Sequence, residues 1–114
     1  MDSQQFVEVV RIVVRDGAAE AAMSVLQAPP GRRPSEDMME RSKWYNSLDD
    51  GQKRILSSIV LETANHAVFG FLCVIDGVRS IENPGEKGRL ELRHVKDGSV
   101  LLNPPSGPLL HELW

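Results

Sequence analysis

Polar residues recur at helical spacing in the first segment, although most of its apolar residues are β-branched. Four polar residues follow one another at intervals of three or four and so share one stripe of a helix: Gln4, Glu8, Arg11 and Arg15. β-Branched residues favour strands, but neighbours such as Val9 and Val10 break the alternation of a half-buried strand. The spacing therefore predicts a first helix, with Asp2 or Ser3 as its N-cap.

Two further helices are predicted before residue 49. Asp16-Gly17 interrupts the first pattern, and the Ala-rich stretch 18–28 resumes it with strong helix formers. Pro29 stops this second helix, since proline cannot continue the hydrogen-bond ladder. Ser35 is a suitable N-cap for a third helix, because the carboxylates at positions 36–37 complement the helix dipole.

The fourth predicted helix carries most of the apolar residues in the middle of the chain. Asp49 and Gln52 have the spacing of a capping box, and Gly77 suits the residue just beyond a helix C-terminus. Apolar residues recur at helical spacing between these ends: Ile55, Leu56, Ile59, Val60, Ala67, Val68 and Phe71. From Ala67 onward the helix is apolar on all sides, so we expect other elements to surround this end.

The length of this fourth helix leaves an alternative open. A helix over Asp50–Asp76 would extend about 40 Å at 1.5 Å per residue. A domain of this size has a radius of gyration of about 13 Å. A kink near Asn65 or Gly70, or a strand over Phe69–Ile75, would shorten it.

After Gly88 the side-chain pattern alternates with a period of two residues, which indicates strands. Asp97-Gly98 precedes the apolar run 100–102, and Asp-Gly is typical of a tight hairpin turn that needs positive φ. A two-residue turn would place His94 opposite Leu101. The predicted fold is a single domain over residues 1–114 of the α+β class, mainly α: a helical bundle around a long central helix with a C-terminal β-hairpin.

Short motifs in the chain resemble small bacterial proteins of uncharacterised function. The motifs are WYNSL at 44–48, GFLCVIDGVR at 70–79, KDG at 96–98 and LLHEL at 109–113. This resemblance covers about half of the chain. It implies a helical body, a C-terminal hairpin and a bacterial origin, and it carries no activity, cofactor or functional residue.

Composition narrows the class of protein. The 114 residues are 41% apolar and 25% charged, and 13 basic against 16 acidic residues leave a net charge of −3. This acidic balance argues against nucleic acid as a partner, since nucleic-acid binders carry a basic excess. The single cysteine excludes an internal disulfide framework and fits a reducing compartment.

No membrane association is predicted. The longest apolar stretch, Ala67–Ile75, has nine residues, whereas a bilayer needs about 20. The polar, slightly acidic N-terminal residues do not resemble a secretory signal. We therefore expect a cytoplasmic protein.

The strongest candidate chemistry lies on one stripe of the fourth helix. Glu62 and His66 are four residues apart and share the stripe with Phe69 and Cys73. The carboxylate and imidazole could share a proton or bind a metal with a third group, or form a simple helical ion pair. Cys73 fits a core position better than a nucleophile, because burial and the helix dipole both oppose the thiolate.

A second candidate lies just after the helix. Asp76, Arg79 and Glu82 could form a polar, ligand-binding corner at the helix exit, or a local salt bridge that fixes it. Trp114 could dock on its own fold or on a neighbouring molecule.

These observations support two functional hypotheses and no cofactor. The absence of a catalytic set and the long apolar helix favour a non-enzymatic protein-interaction module, as a homodimer or an immunity- or antitoxin-like partner binder. The alternative is a small-ligand or metal-binding protein, or a minor enzyme, centred on Glu62 and His66 with Cys73, Asp76 and Arg79 nearby.

Overall fold

The structure, a computed structural model, describes residues 1–114. Its elements are α1 (Ser3–Val10), a π-helical segment (Arg11–Asp16), α2 (Gly17–Gln27), α3 (Glu36–Asn46), α4 (Asp50–Ile75), β1 (Arg93–Val95), β2 (Ser99–Leu101) and α5 (Leu110–Leu113). The prediction of an α+β, mainly α fold with a long central helix and a C-terminal hairpin is confirmed.

The predicted break at Asp16-Gly17 is wrong, because the chain stays helical from α1 through α2. The π-helical segment joins the two helices, and the Gly17 amide donates to the carbonyl of Ile12 five residues earlier. A π turn contains an additional residue and therefore shifts the phase of the helix. The sequence pattern changes at this point because the phase changes, while the helix continues.

The capping residues are confirmed at the start of α3 and α4. Ser35 accepts a hydrogen bond from the Met38 amide at 3.2 Å. The Asp49 carboxylate accepts from the Gln52 amide at 2.8 Å, and the Gln52 side chain accepts from the Asp49 amide at 3.0 Å. Gly77 follows α4 with φ of +79°, which glycine adopts at little cost.

Helix α4 remains helical as far as Ile75, so the alternative of a strand over Phe69–Ile75 is wrong. We expected other elements to surround the last turns of α4 on all sides, and they cover these turns only in part. Leu72 and Cys73 are buried, whereas Phe71 is 64% exposed.

The small core lies where α1, the last turns of α4 and α5 meet. Val7, Leu72 and Leu110 are almost completely buried there. Six partly buried apolar residues pack around them: Phe6, Val68, Ile75, Leu92, Leu113 and Trp114. Only ten of the 114 residues are buried, so this core accounts for a small part of the apolar content.

The hairpin forms as predicted, but its register differs by one residue. β1 and β2 are antiparallel, with His94 opposite Val100 and Val95 opposite Ser99. The loop therefore contains three residues, and the Lys96 amide donates to the Gly98 carbonyl within it. Asp97 and Gly98 both adopt positive φ, as the Asp-Gly pair predicts. The predicted pairing of His94 with Leu101 is wrong because Lys96 belongs to the turn.

The molecule is extended and exposes a large surface. Its radius of gyration is 18.5 Å, against about 13 Å for a typical domain of this length. Its accessible surface is 8087 Å², whereas a folded monomer of its mass exposes about 6,200 Å². The excess is about 1,800 Å².

Candidate functional site

An open stripe of side chains runs along the outside of α4, and we call it the α4 face. Its members recur at helical spacing and lie within about 80° around the helix: Ile55, Ile59, Glu62, His66 and Phe69. Ile55 and Ile59 are 64% and 54% exposed, and Phe69 is 37% exposed. Large apolar side chains thus flank a polar pair on an exposed surface.

The polar pair at the middle of the α4 face is an exposed carboxylate–imidazole pair. Glu62 Oε1 lies 3.7 Å from His66 Nε2, and the two side chains are 68% and 71% exposed. Cys73, on the same stripe, is buried. No group of three or more His, Cys, Asp and Glu side chains lies close enough to hold a metal ion. The structure therefore does not bring Glu62, His66 and Cys73 together as one site.

Asp76 at the end of α4 binds α5. Its Oδ2 accepts a hydrogen bond from the His111 amide at 2.8 Å and lies 2.8 Å from His111 Nδ1, which can donate to it in the tautomer that carries the proton on that nitrogen. The Asp76 side chain is fully buried, and its Oδ1 has no hydrogen-bond partner. The imidazole packs edge-on against Phe69 with ring centroids 6.0 Å apart. Asp76 thus fixes the short C-terminal helix on α4.

A cavity of about 390 Å³ lies beside this carboxylate, and we call it the exit cavity. Its wall includes five charged residues: Asp76, Arg79, Glu82, Lys87 and Arg89. The structure therefore brings the predicted corner residues together, but it records no salt bridge among them. The Arg79 guanidinium instead lies against Gly70, where a Cβ would stand 2.5 Å from Nη1. Any larger residue at position 70 would require the end of the Arg79 side chain to shift.

The remaining polar contacts of the exit cavity are made to backbone atoms. Lys87 Nζ donates to the Gly77 carbonyl at 2.6 Å, and the Gly88 amide donates to Glu82 Oε2 at 2.6 Å. Arg89 Nη2 donates to the Asn103 carbonyl at 2.7 Å. These bonds close the loop that forms the cavity.

Trp114 docks on its own fold. Its indole Nε1 donates to Asn65 Oδ1 at 3.1 Å. The guanidinium carbons of Arg11 and Arg15 lie 5.1 and 5.8 Å from the centre of the ring, within the range of cation–π attraction. Arg11 also donates to the backbone oxygen of Trp114. The sequence left open whether Trp114 docks on its own fold or on a neighbouring molecule, and in the structure it docks on its own fold.

Sequence reasoning missed Asn103, and it named His111 as a candidate site residue without pairing it with Asp76. Asn103 is buried, and its side chain donates to the carbonyls of Leu90 and Ile75 while accepting from the Leu92 amide. His111 is the partner of Asp76. Nothing in the local pattern marks either residue, since their partners are distant in sequence.

Two further findings bear on function. By length and composition, α4 is the one helix that could cross a membrane, and 22% of its most apolar window is buried in this structure. Core helices of soluble proteins satisfy the same criteria. No protein-family model, curated protein or solved structure matches this chain.

Proposed function

We propose that this chain is a non-enzymatic interaction module that works as a homodimer, in which the α4 face packs against the same face of a second copy. The observation that carries the proposal is the exposed apolar stripe of α4 on a molecule with excess surface. Ile55 and Ile59 lie on one side of the exposed Glu62–His66 pair, and Phe69 lies on the other side. Exposed apolar surface marks interaction sites where it is extensive.

The area fits a second copy. The chain exposes 8087 Å², about 1,800 Å² more than a compact monomer. Obligate homodimers bury about 1,000–2,500 Å² on each subunit. The excess falls within this range, so a dimer could cover it.

Two copies of the α4 face have complementary charged and apolar side chains in one relative orientation. An antiparallel pair of α4 helices related by a two-fold axis near residue 64 would place Glu62 opposite the partner's His66. The same register would place Ile59 opposite the partner's Phe69. Isologous interfaces require this reciprocity, in which each residue contacts the residue that contacts it. A parallel pair would instead bring the two Glu62 carboxylates together, which costs energy.

A bilayer would cover the same helix less favourably than a second copy. Glu62 and His66 lie near the middle of α4, and a charged side chain at the centre of a bilayer costs about 3 kcal/mol or more. Asn65 already binds Arg15 and Trp114 from other elements. A cytoplasmic location stays a prediction that agrees with this proposal.

The mass of the protein in solution tests the dimer. Sedimentation equilibrium or light scattering should give twice the 12.7 kDa chain mass. Ile59→Glu should give the monomer, because the new carboxylate would be buried opposite Phe69. Met39→Glu is the matched control: Met39 is a similarly exposed helical residue outside the α4 face, and its substitution should leave the dimer intact. A monomeric wild type, or recovery of the protein only with membranes, would reject the proposal.

Disulfide trapping tests the orientation. In a Cys73→Ser background, Glu62→Cys and His66→Cys chains are purified separately and then mixed under oxidising conditions. Antiparallel packing should give a crosslink between the two different variants and little crosslinking of either variant alone. Efficient crosslinking of each variant with itself would indicate parallel packing and contradict this register.

A further inference from the structure

We infer that the exit cavity binds a small organic anion, whose carboxylate or phosphate group is held by Arg79, Lys87 and Arg89. The cavity volume of about 390 Å³ lies within the range of small-molecule sites. The site lies at the end of α4 and does not include the α4 face. The inference therefore stands independently of the homodimer.

The three cations of the exit cavity have unused hydrogen-bonding capacity. None of them forms a salt bridge. The Arg79 side chain makes no hydrogen bond, while Lys87 and Arg89 each make one, to a backbone carbonyl. A guanidinium carries five N–H donors and an ammonium three, so most of these donors remain available.

The two carboxylates of the cavity bond to groups other than these cations. Glu82 accepts from the Gly88 amide, and Asp76 Oδ2 accepts twice from His111. Neither carboxylate is in an ion pair with Arg79, Lys87 or Arg89. Arginine and lysine side chains that line one cavity without acidic partners are the donor set that binds carboxylate and phosphate groups.

Asp76 supplies a second, independent observation. Its side chain is fully buried in the cavity wall, and Oδ1 has no donor. Buried carboxylate oxygens are nearly always hydrogen-bonded, since they lose their hydration on burial. A ligand that carries a hydroxyl or amino group beside its anionic group would supply the missing donor after a side-chain shift that opens Oδ1 to the cavity, because that atom is closed to solvent in this structure. Hydroxy acids and amino acids have this combination.

Titration with matched small anions tests the inference. Malate, succinate and inorganic phosphate are added at constant ionic strength, and the backbone amide resonances of residues 76–89 are followed by NMR. We expect saturable shifts with malate, and weaker binding of succinate, which lacks the hydroxyl group. Shifts that sodium chloride reproduces, or no saturable shift with any of the three anions, would overturn the inference. Equal affinities for malate and succinate would show that Asp76 does not bind the ligand.

Variants assign the binding to the cations. Arg79→Gln should weaken malate binding about tenfold, the cost of one charge-assisted hydrogen bond. Arg32→Gln, at an exposed loop position outside the cavity, is the matched control and should have no effect. Glu82→Gln keeps an acceptor for the Gly88 amide but removes a negative charge, so it should tighten binding about threefold. Equal affinities in Arg79→Gln and wild type would contradict the assignment.

The homodimer and the anion site can be separated in one further measurement. The Ile59→Glu variant alters the α4 face alone and should bind malate with the wild-type affinity. Loss of malate binding in that variant would place the site at the dimer interface and contradict the inference as stated.

Discussion

The indole Nε1 of Trp114 donates to Asn65 Oδ1 at 3.1 Å and so ties the end of α5 to the middle of α4. The same ring lies beside Arg11 and Arg15 of the π-helical segment. One side chain therefore connects three separate parts of the chain.

Two substitutions that remove successively more of the Trp114 side chain should destabilise the fold by increasing amounts. Trp114→Phe removes the N–H donor but keeps the aromatic ring, and should lower the free energy of unfolding by about 1 kcal/mol. Trp114→Ala also removes the packing and should cost about 3 kcal/mol. Urea denaturation at a fixed protein concentration measures both. Trp44, which is 54% exposed, is the control: Trp44→Ala should change stability little, and equal losses at the two positions would contradict this role.

Asn103 should tolerate no change of its amide group. Asn103→Asp has the same shape, but it replaces a donor to the Leu90 and Ile75 carbonyls with an oxygen that repels them. We expect a loss of about 3 kcal/mol in the free energy of unfolding. The exposed Asn83 provides a control with the same chemistry, and thermal denaturation of Asn83→Asp should match that of wild type. A stable Asn103→Asp protein would show that these hydrogen bonds do not hold the hairpin.

Loss of the Asp76 carboxylate should release α5 without unfolding the helices. Asp76→Ala removes both hydrogen bonds to His111, and the docked Trp114 should then become more exposed to water. In a Trp44→Phe background, the fluorescence of Trp114 should shift to longer wavelength while the helical circular dichroism signal is retained. Glu62→Ala removes an exposed carboxylate from the same helix and should leave the emission unchanged. An unshifted spectrum in Asp76→Ala would mean that α5 docks through its apolar residues alone.

The N-cap of α4 should contribute measurably to stability. Asp49→Ala removes the acceptor for the Gln52 amide and should cost about 1 kcal/mol. Asp50→Ala changes the charge at the next position without removing the cap, so its melting temperature should lie closer to that of wild type. Comparable decreases for both substitutions would indicate an effect of charge and not of capping.

Local chemistry explains which parts of the fold could be predicted from the sequence. Ser35, Asp49 and Gly77 mark helix ends through contacts with residues three or four positions away, and all three have the predicted roles. The π-helical segment was missed because a phase shift and a helix break produce the same interruption in the polar pattern. The hairpin register was missed because Asp97-Gly98 fits both a two-residue and a three-residue loop.

Less of the candidate site than of the fold could be predicted from the sequence, because the contacts of the site join residues that are far apart in the chain. Asp76 and Arg79 were identified as corner residues, and both line the exit cavity. Their partners, His111 for the carboxylate and Gly70 for the guanidinium, depend on how α4, α5 and the loop pack together. No periodicity connects these positions.

The core of Val7, Leu72 and Leu110 also constrains when the protein can fold. The three side chains come from segments that are far apart in sequence, so two long loops must close before the core forms. Helices α1 to α4 can form during synthesis, but the contacts of Val7 and Leu72 with Leu110 cannot form until Leu110 has left the ribosome. The core is therefore completed only after nearly all of these 114 residues have emerged.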